Sequence, residues 1–524
     1  MLRTDLIAPI PELLARQAAA HGNKVAYEDA AGAVTYAELR QRTGNLAGHL
    51  AETGIGPGDS VAMLMPNSVA WVETSFAITR AGAISVPISY DSTESEIAYR
   101  LADAGCRAIV TTDEKAELVE ALRRQAPALG VAIYMDRGER RAHGLRLADL
   151  LARKPCTAPR DPRMLDEPAF IVYTSGTTGR AKGVILTVRG MLWVASSCWA
   201  PICGLSAEDR VLSPLPLFHS YALNISVMSI LATGASEFIM ERFSTAEALE
   251  RLKSGRYTVM PGVPTMFHYL LQRARESDAG ARDLRPLRLC ISAGAIMPAP
   301  LNREFESHFG VQLLDGYGIT ETSTMVTMNW PTGGRVLGSC GLALPGLAVR
   351  IVDPVTDKDV AVGAEGELIV RGPNVMPGYH NKPKETEAAL RDGWYRTGDL
   401  ARADENGFLT ITGRLKELII RGGQNIAPAE IEEVVTEFGP VLECAVIGMP
   451  HQELGEVPVL CVVPRSGESI ETQALIAHCR THLSAYKVPQ TVHIVREIPR
   501  TGSGKIMRFK LKEALAAASA GKAG

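Results

Sequence analysis

The stretch Ala169-Phe170-Ile171-Val172-Tyr173-Thr174-Ser175-Gly176-Thr177-Thr178-Gly179-Arg180-Ala181-Lys182-Gly183 decides how the rest of this chain is read. It opens as an apolar, β-branched and aromatic run and turns abruptly into hydroxyls, glycines and two cations, the pattern of a buried strand delivering a flexible loop. Such a loop suits phosphate. Glycines let backbone N–H groups turn inward without a Cβ clash, Ser and Thr add donors, and Arg180 and Lys182 add charge. The spacing from Gly176 is G-x-x-G-x-x-K-G, not that of a P-loop. The run Val184-Ile185-Leu186-Thr187 that follows is β-branched and apolar and does not read as a helix, so no helix dipole is expected at the phosphate. Taken alone, the same turn is also what an ordinary polar hairpin uses.

Composition narrows the classes. A chain of 524 residues exceeds one core and implies about three or four units of ordinary domain size. Hydrophobic content of 46% and charged content of 22% are those of a globular protein, and a net charge of -3 disfavours a nucleic-acid binder. The nine cysteines are scattered, with no C-x-x-C pair, which points to thiols in a reducing cytoplasm, not to disulfides or zinc. Asp5, Pro9, Pro11 and Glu12 interrupt any export signal, and the apolar run from Tyr221 to Ala235 is too short and too polar to span a bilayer. A cytoplasmic location is therefore expected, with no transmembrane segment.

Before the loop, helix-like and strand-like patterns alternate. Thr35-Tyr36-Ala37-Glu38 and Thr93-Glu94-Ser95-Glu96 are capping boxes, and Val61 to Met65 and Ala108 to Thr112 read as strands. Helical connections between short strands imply parallel pairing. From Gly338 to Arg371 short alternating runs predict a small antiparallel sheet or barrel, and beyond Gly413 the pattern is that of a compact α+β unit ending in an Ala-rich tail, expected to fray from Ala514. The expected fold class is α/β: a large N-terminal part of parallel-rich βαβ sheets with an antiparallel barrel-like subdomain, then a small mobile α+β domain. The expected boundaries are 1–413, a hinge at 414–416, and 417–524.

Four further stretches carry chemistry. Asp315-Gly316-Tyr317-Gly318-Ile319-Thr320-Glu321-Thr322 offers an aromatic face between glycines, a hydroxyl and a carboxylate for Mg²⁺. Trp394 to Leu400 offers Asp399 to ribose hydroxyls; Lys416 to Ile426 is an apolar strand with the twin glycines Gly422 and Gly423; Pro499 to Lys505 sets a cation on a glycine loop. Singly, each has a bland alternative as a cap, a solvated charge or a surface lysine.

Together and in this order they closely resemble the AMP-forming acyl-CoA synthetases of the adenylate-forming superfamily, over nearly the whole chain. The resemblance implies a ligase that uses ATP and Mg²⁺ to convert a carboxylic acid to an acyl adenylate and then passes the acyl group to CoA. It implies that Thr174, Ser175, Gly176, Thr177, Thr178, Gly179 and Lys182 hold the β- and γ-phosphates. Gly294, Ala295 and Asp315 to Gly318 match the adenine pocket, with Tyr317 stacking on the base; Asp399 and Arg414 match the ribose contacts. Thr320 matches the hydroxyl near the α-phosphate, Glu321 the metal carboxylate, Lys416 the hinge, and Lys505 the lysine bridging the attacking carboxylate and α-phosphate. Gly422 and Gly423 match the lining of the CoA tunnel. Thr187-Val188-Arg189-Gly190 departs from the family's usual Ser-His-x-Asn and is expected to lie outside the chemistry.

For the acid, His219 stands near the position where amino-acid-activating relatives carry an Asp, which disfavours an α-amino acid. His219, Tyr221, Met260, Val263, Ala293, Ile319, Thr324 and Met325 match the acyl pocket, and their mostly apolar character favours a medium- or long-chain fatty acid, with an aryl or cinnamate-type acid as the alternative. His219 and Tyr221 read equally as a gate or as a core pair. A carrier-protein phosphopantetheine is the alternative acceptor, and no nucleic-acid partner is expected; the oligomeric state is not legible.

Overall fold

The computed structural model describes residues 2–137, 144–174, 181–277, 280, 283–422, 424–500 and 506–520. Two parallel-rich sheets form the bulk of the chain. One runs 342–343, 327–328, 312–317, 289–292, 259–262, 210–213, 236–239, 25–28 and 33–35; its strands from 312–317 to 25–28 are parallel. The other runs 145–146, 131–135, 106–112, 60–64, 84–87, 168–174 and 182–187, parallel except for its last pair.

Local sequence explains these elements. Both capping boxes form: Thr35 opens the helix Tyr36–Glu52 and Thr93 opens Glu94–Asp103, each with a Glu returning to the cap N–H. Leu39, Leu46 and Leu50 fall on the buried face of the first. Helices cover both faces of the parallel strands, so Val61, Ala62, Met63 and Leu64 are all buried, with Val61, Met63 and Leu64 each contributing roughly 1.5–3 kcal/mol. Two π-turns, Ala195–Trp199 and Leu223–Ser229, interrupt neighbouring helices beside the cleft described below.

An antiparallel sheet follows, with 348–352, 366–371, 394–403 and 390–391 in order and 409–414 added against 394–403. After the short turn Leu415–Glu417 comes a last sheet of 424–426, 419–421, 455–464 and 441–451, with 491–494 parallel to 455–464. The architecture is thus α/β with parallel-rich sheets, an antiparallel half-barrel sheet and a small C-terminal α+β unit. The Ala-rich tail begins in a helix, Arg508–Ala520. Alanine favours helix, and Leu511 and Leu515 pack it onto Ala445, Ile447 and Cys461. All nine cysteines are free, eight of them buried.

Candidate active site

The strands on either side of the quoted loop pair antiparallel. Phe170, Ile171 and Val172 bury the first strand, Pro168–Thr174, and the second, Lys182–Thr187, returns antiparallel with Lys182 opposite Thr174. Ser175, Gly176, Thr177, Thr178 and Gly179 lie outside the described residues. Segment 378–380 pairs with the returning strand, through Ile185 N–H to Gly378 O at 3.1 Å and His380 N–H to Gly183 O at 2.7 Å. This places Tyr379 against the hairpin. Lys182 Nζ sits 4.5 Å from the Tyr379 ring, and the Tyr379 phenol donates to Glu321 Oε1 at 3.0 Å. Burial and the Glu321 charge push the phenol's pKa up, so it remains a donor. Lys182 and Glu321 therefore share one tyrosine.

The C-terminal ends of parallel strands 289–292 and 312–317 meet at Ser292 and Asp315, the edge at which α/β sheets bind ligands. Beyond the first strand, Gly294 takes φ 86°, beside Ala293 and Ala295. Gly316 and Gly318 are required: a Cβ on Gly316 would fall 2.5 Å from Met325 Cε, and one on Gly318 only 1.3 Å from Thr324 O. Asp315 is buried, its carboxyl pushed well above the usual range by burial, and its Oδ1 has no partner among the described residues. A buried acceptor left open at this edge fits the exocyclic amine of adenine. The Tyr317 phenol donates to Asp399 Oδ2 at 2.5 Å, and Arg414, directly across the strand pair from Asp399, binds Oδ1 at 2.9 Å.

On the other side, the Thr320 and Ser220 hydroxyls bond at 3.1 Å. His219 lies against Phe218, with ring centroids 4.1 Å apart, while Tyr221 donates to Ile291 O at 3.1 Å and stacks on Trp199. Tyr221 is therefore a satisfied, fixed phenol. With Val263, Ala293, Ile319 and Thr324 these residues line a continuous cleft of about 3220 Å³ that also takes in Glu321, Asp399, Arg414 and Lys416. That exceeds a pocket for one small molecule and leaves room for several substrates at once.

Two expected walls are misplaced. Met260 points to the far face of its sheet, among Phe267, Leu270 and Phe305. Met325 is buried in the main core, beneath Gly316, and does not reach the cleft surface.

Lys416 sits in the turn Leu415–Glu417, and Glu417 pairs with Arg508 at 3.0 Å, tying the chain just past the turn to the C-terminal unit. Gly422, at φ 56°, ends the strand Ile419–Arg421 and lies away from the cleft; Gly423 and Lys505 are outside the described residues. Arg500, near Lys505 in sequence, pairs with Glu443, which also accepts from Tyr269 on the cleft helix Pro264–Glu276 at 3.3 Å. Thr187 caps the helix Val188–Val194 and Arg189 pairs with Asp166, giving that departure a structural use.

Sequence reasoning missed Tyr379, Asn224 and Asn374. Asn224 accepts from Trp199 Nε1 at 2.7 Å and donates to Met191 O and Ser323 O; Asn374 donates to Thr322 O and Met325 O. The signal for Asn224 was its place inside an apolar run, where a polar residue must find partners.

Residues 14–380 match the AMP-binding enzyme family, and residues 430–505 match the AMP-binding enzyme C-terminal domain. The chain belongs to the AMP-binding enzyme family. The ligase is 36% identical to feruloyl-CoA synthase of Amycolatopsis sp over 92% of this chain and 94% of that one. It is 33% identical to a long-chain-fatty-acid–CoA ligase of Yersinia pestis, over 97% and 95%. It superposes on ATP-bound MatB from Rhodopseudomonas palustris with a TM-score of 0.88, at 33% identity and covering 96% of this chain and 98% of that one; for apo MatB, at the same identity and coverage, the score is 0.77. This chain therefore superposes more closely on the ATP-bound form than on the apo form.

The ligase is an acid–thiol ligase that works through an acyl adenylate and uses ATP, Mg²⁺ and CoA. Among the described residues no group of three or more His, Cys, Asp or Glu gathers as a metal site. A Mg²⁺ held by one carboxylate and by substrate phosphates, as Glu321 would allow, needs no such group. No described helix is long and apolar enough to cross a membrane.

Proposed function

We propose that this ligase activates a planar aryl or arylpropenoic acid and transfers it to CoA. The observation that carries the acid class is the Tyr221 ring, tied to Ile291 O and backed by Trp199, which gives the cleft a rigid aromatic floor. A flat ring packs on such a floor, whereas a growing alkyl chain must pass it. A fatty acid, favoured by the sequence, remains the second reading on a specific ground: Val263, Met266, Ala293 and Ile319 make an apolar wall.

In the proposed reaction the acid's carboxylate attacks the α-phosphorus and pyrophosphate departs with the electron pair of the broken P–O bond. Two anions meet, so the residues act by alignment and neutralisation. Thr174, Lys182 and the loop between them hold the β- and γ-phosphates. Asp315 accepts from adenine, Tyr317 stacks on it, and Asp399 with Arg414 grips the ribose. Thr320 donates near the α-phosphate, Glu321 carries Mg²⁺, and Lys505 bridges the two anions. The CoA sulfur then attacks the acyl carbonyl, AMP leaves, and the thiol proton passes to solvent.

The change of step is assigned to rotation of residues 417–524 about 414–416, which withdraws Lys505 and brings Gly422 and Gly423 to the cleft. The Glu417–Arg508 pair supports that boundary. The enzyme is assigned to the cytoplasm. A pyrophosphate-release screen of straight-chain acids from acetate to stearate, with benzoates and cinnamates, tests the acid class. Cinnamates or benzoates should dominate; a rate that climbs steadily with chain length, about threefold to fourfold per methylene, would replace the aryl acid by a fatty one.

A further inference from the structure

We propose that Thr324 is a specificity-determining residue whose hydroxyl hydrogen-bonds an oxygen substituent on the acid, such as a phenol, methoxyl or carbonyl. The proposal rests on the aryl-acid reading above and sharpens it.

The segment after Glu321 has an unusual backbone. Thr320–Thr322 forms a tight turn, then Ser323 takes φ 52° and Thr324 φ 109°. A β-branched residue at positive φ is an outlier that persists only where its surroundings over-determine it. Here they do. Asn224 Nδ2 donates to Ser323 O at 2.9 Å, Ser323 Oγ donates to Asn374 O at 2.8 Å, and Asn374 Nδ2 clamps Thr322 O at 2.9 Å and Met325 O at 2.8 Å. Thr324 N–H is fixed to Ile319 O at 3.1 Å.

What the brace leaves over is one hydroxyl. Thr320 Oγ1 bonds Ser220, Thr322 Oγ1 donates to Ile319 O at 3.0 Å, and Ser323 Oγ is used in the clamp. Thr324 is 3% exposed and lines the cleft, yet its Oγ1 has no partner among the described residues. A buried hydroxyl without a partner is unfavourable, and a strained backbone that aims it into a substrate cleft fits a ligand that completes it. Its neighbours Ile319 and Ala293 are apolar, so the surrounding wall receives carbon and Thr324 receives the oxygen. A threonine hydroxyl both donates and accepts, which covers phenol, ether and carbonyl.

The test compares cinnamate with 4-hydroxycinnamate and ferulate in wild type and in Thr324→Val, Thr324→Ala and Thr324→Ser, with the KM for ATP measured alongside. Val keeps shape and loses the hydroxyl; Ala and Ser both relieve β-branching, and only Ser keeps the hydroxyl, so that pair decides even if Val does not fold. We expect Val and Ala to lower the ratio of kcat/KM for the oxygenated acid to kcat/KM for cinnamate by about 10-fold to 100-fold, whatever either does to cinnamate itself, and Ser to keep that ratio close to wild type. Equal losses for plain and oxygenated acids, or a matching rise in the KM for ATP, would overturn the proposal. If wild type accepts fatty acids and no aryl acid, the aryl reading fails on its own, and the same variants assayed with plain and hydroxylated fatty acids decide the role of Thr324.

Discussion

Tyr317 and Asp399 are bonded to each other, phenol to Oδ2 at 2.5 Å, while Arg414 holds Oδ1 of the same carboxylate at 2.9 Å. The carboxylate proposed to grip ribose is thus held from two sides, and one of its present partners is the ring proposed to stack on the base. A ribose hydroxyl approaching Oδ2 would compete with the Tyr317 phenol, while the remaining carboxylate lone pairs stay open to it. Asp399→Asn keeps the shape and removes the charge-assisted bonds, so the KM for ATP should rise about tenfold to 150-fold. Tyr317→Phe removes only the competing donor and should leave it unchanged or slightly lower. ATP titrations at saturating acid measure both, and an Asp399→Asn value within twofold of wild type would remove the residue from the ribose site.

Asp315 gives a pH dependence of stability. Burial raises its carboxyl above the unfolded value, so in the window between the two the folded chain holds a proton that the unfolded chain has lost. This contribution is fully present below the unfolded carboxylate range and is lost as pH rises through the raised value. Asp315→Asn lacks that slope. The Tm of the variant minus that of wild type should therefore increase as pH rises above the ordinary carboxylate range; a constant difference would show that the carboxyl is not held protonated.

Lys416→Pro fixes φ inside the turn Leu415–Glu417. If the turn is the pivot and the described arrangement is the adenylating one, adenylate formation should survive while thioester formation falls by at least about tenfold. Full activity in the complete reaction would place the pivot elsewhere.

Lys505→Ala should separate the half-reactions in the opposite sense. Adenylate formation should be lost by about 100-fold or more, and thioester formation from supplied acyl adenylate should be retained. Equal loss of both would deny the lysine a role confined to the first step.

Much of this was legible because it is local. The capping boxes at Thr35 and Thr93, the strand–loop–strand at 169–187 and the switch to antiparallel pairing after Gly338 are set by neighbours in sequence. What was not legible depends on distant partners. Tyr379 reaches Glu321 across 58 residues and Asn224 reaches Ser323 across 99. Met260 shows a different limit. Every residue of its strand is buried, so alternation carries no information about which side chains face the cleft.

In the proposed reaction the acid's own oxygen forms the bond to the α-phosphorus. Carboxylic acid labelled with oxygen-18 in both carboxyl oxygens, turned over with ATP, Mg²⁺ and CoA, tests it directly by mass spectrometry of the nucleotide product. AMP should carry one labelled oxygen and the thioester retain the other; unlabelled AMP, or ADP as the product, would rule out carboxylate attack at the α-phosphorus.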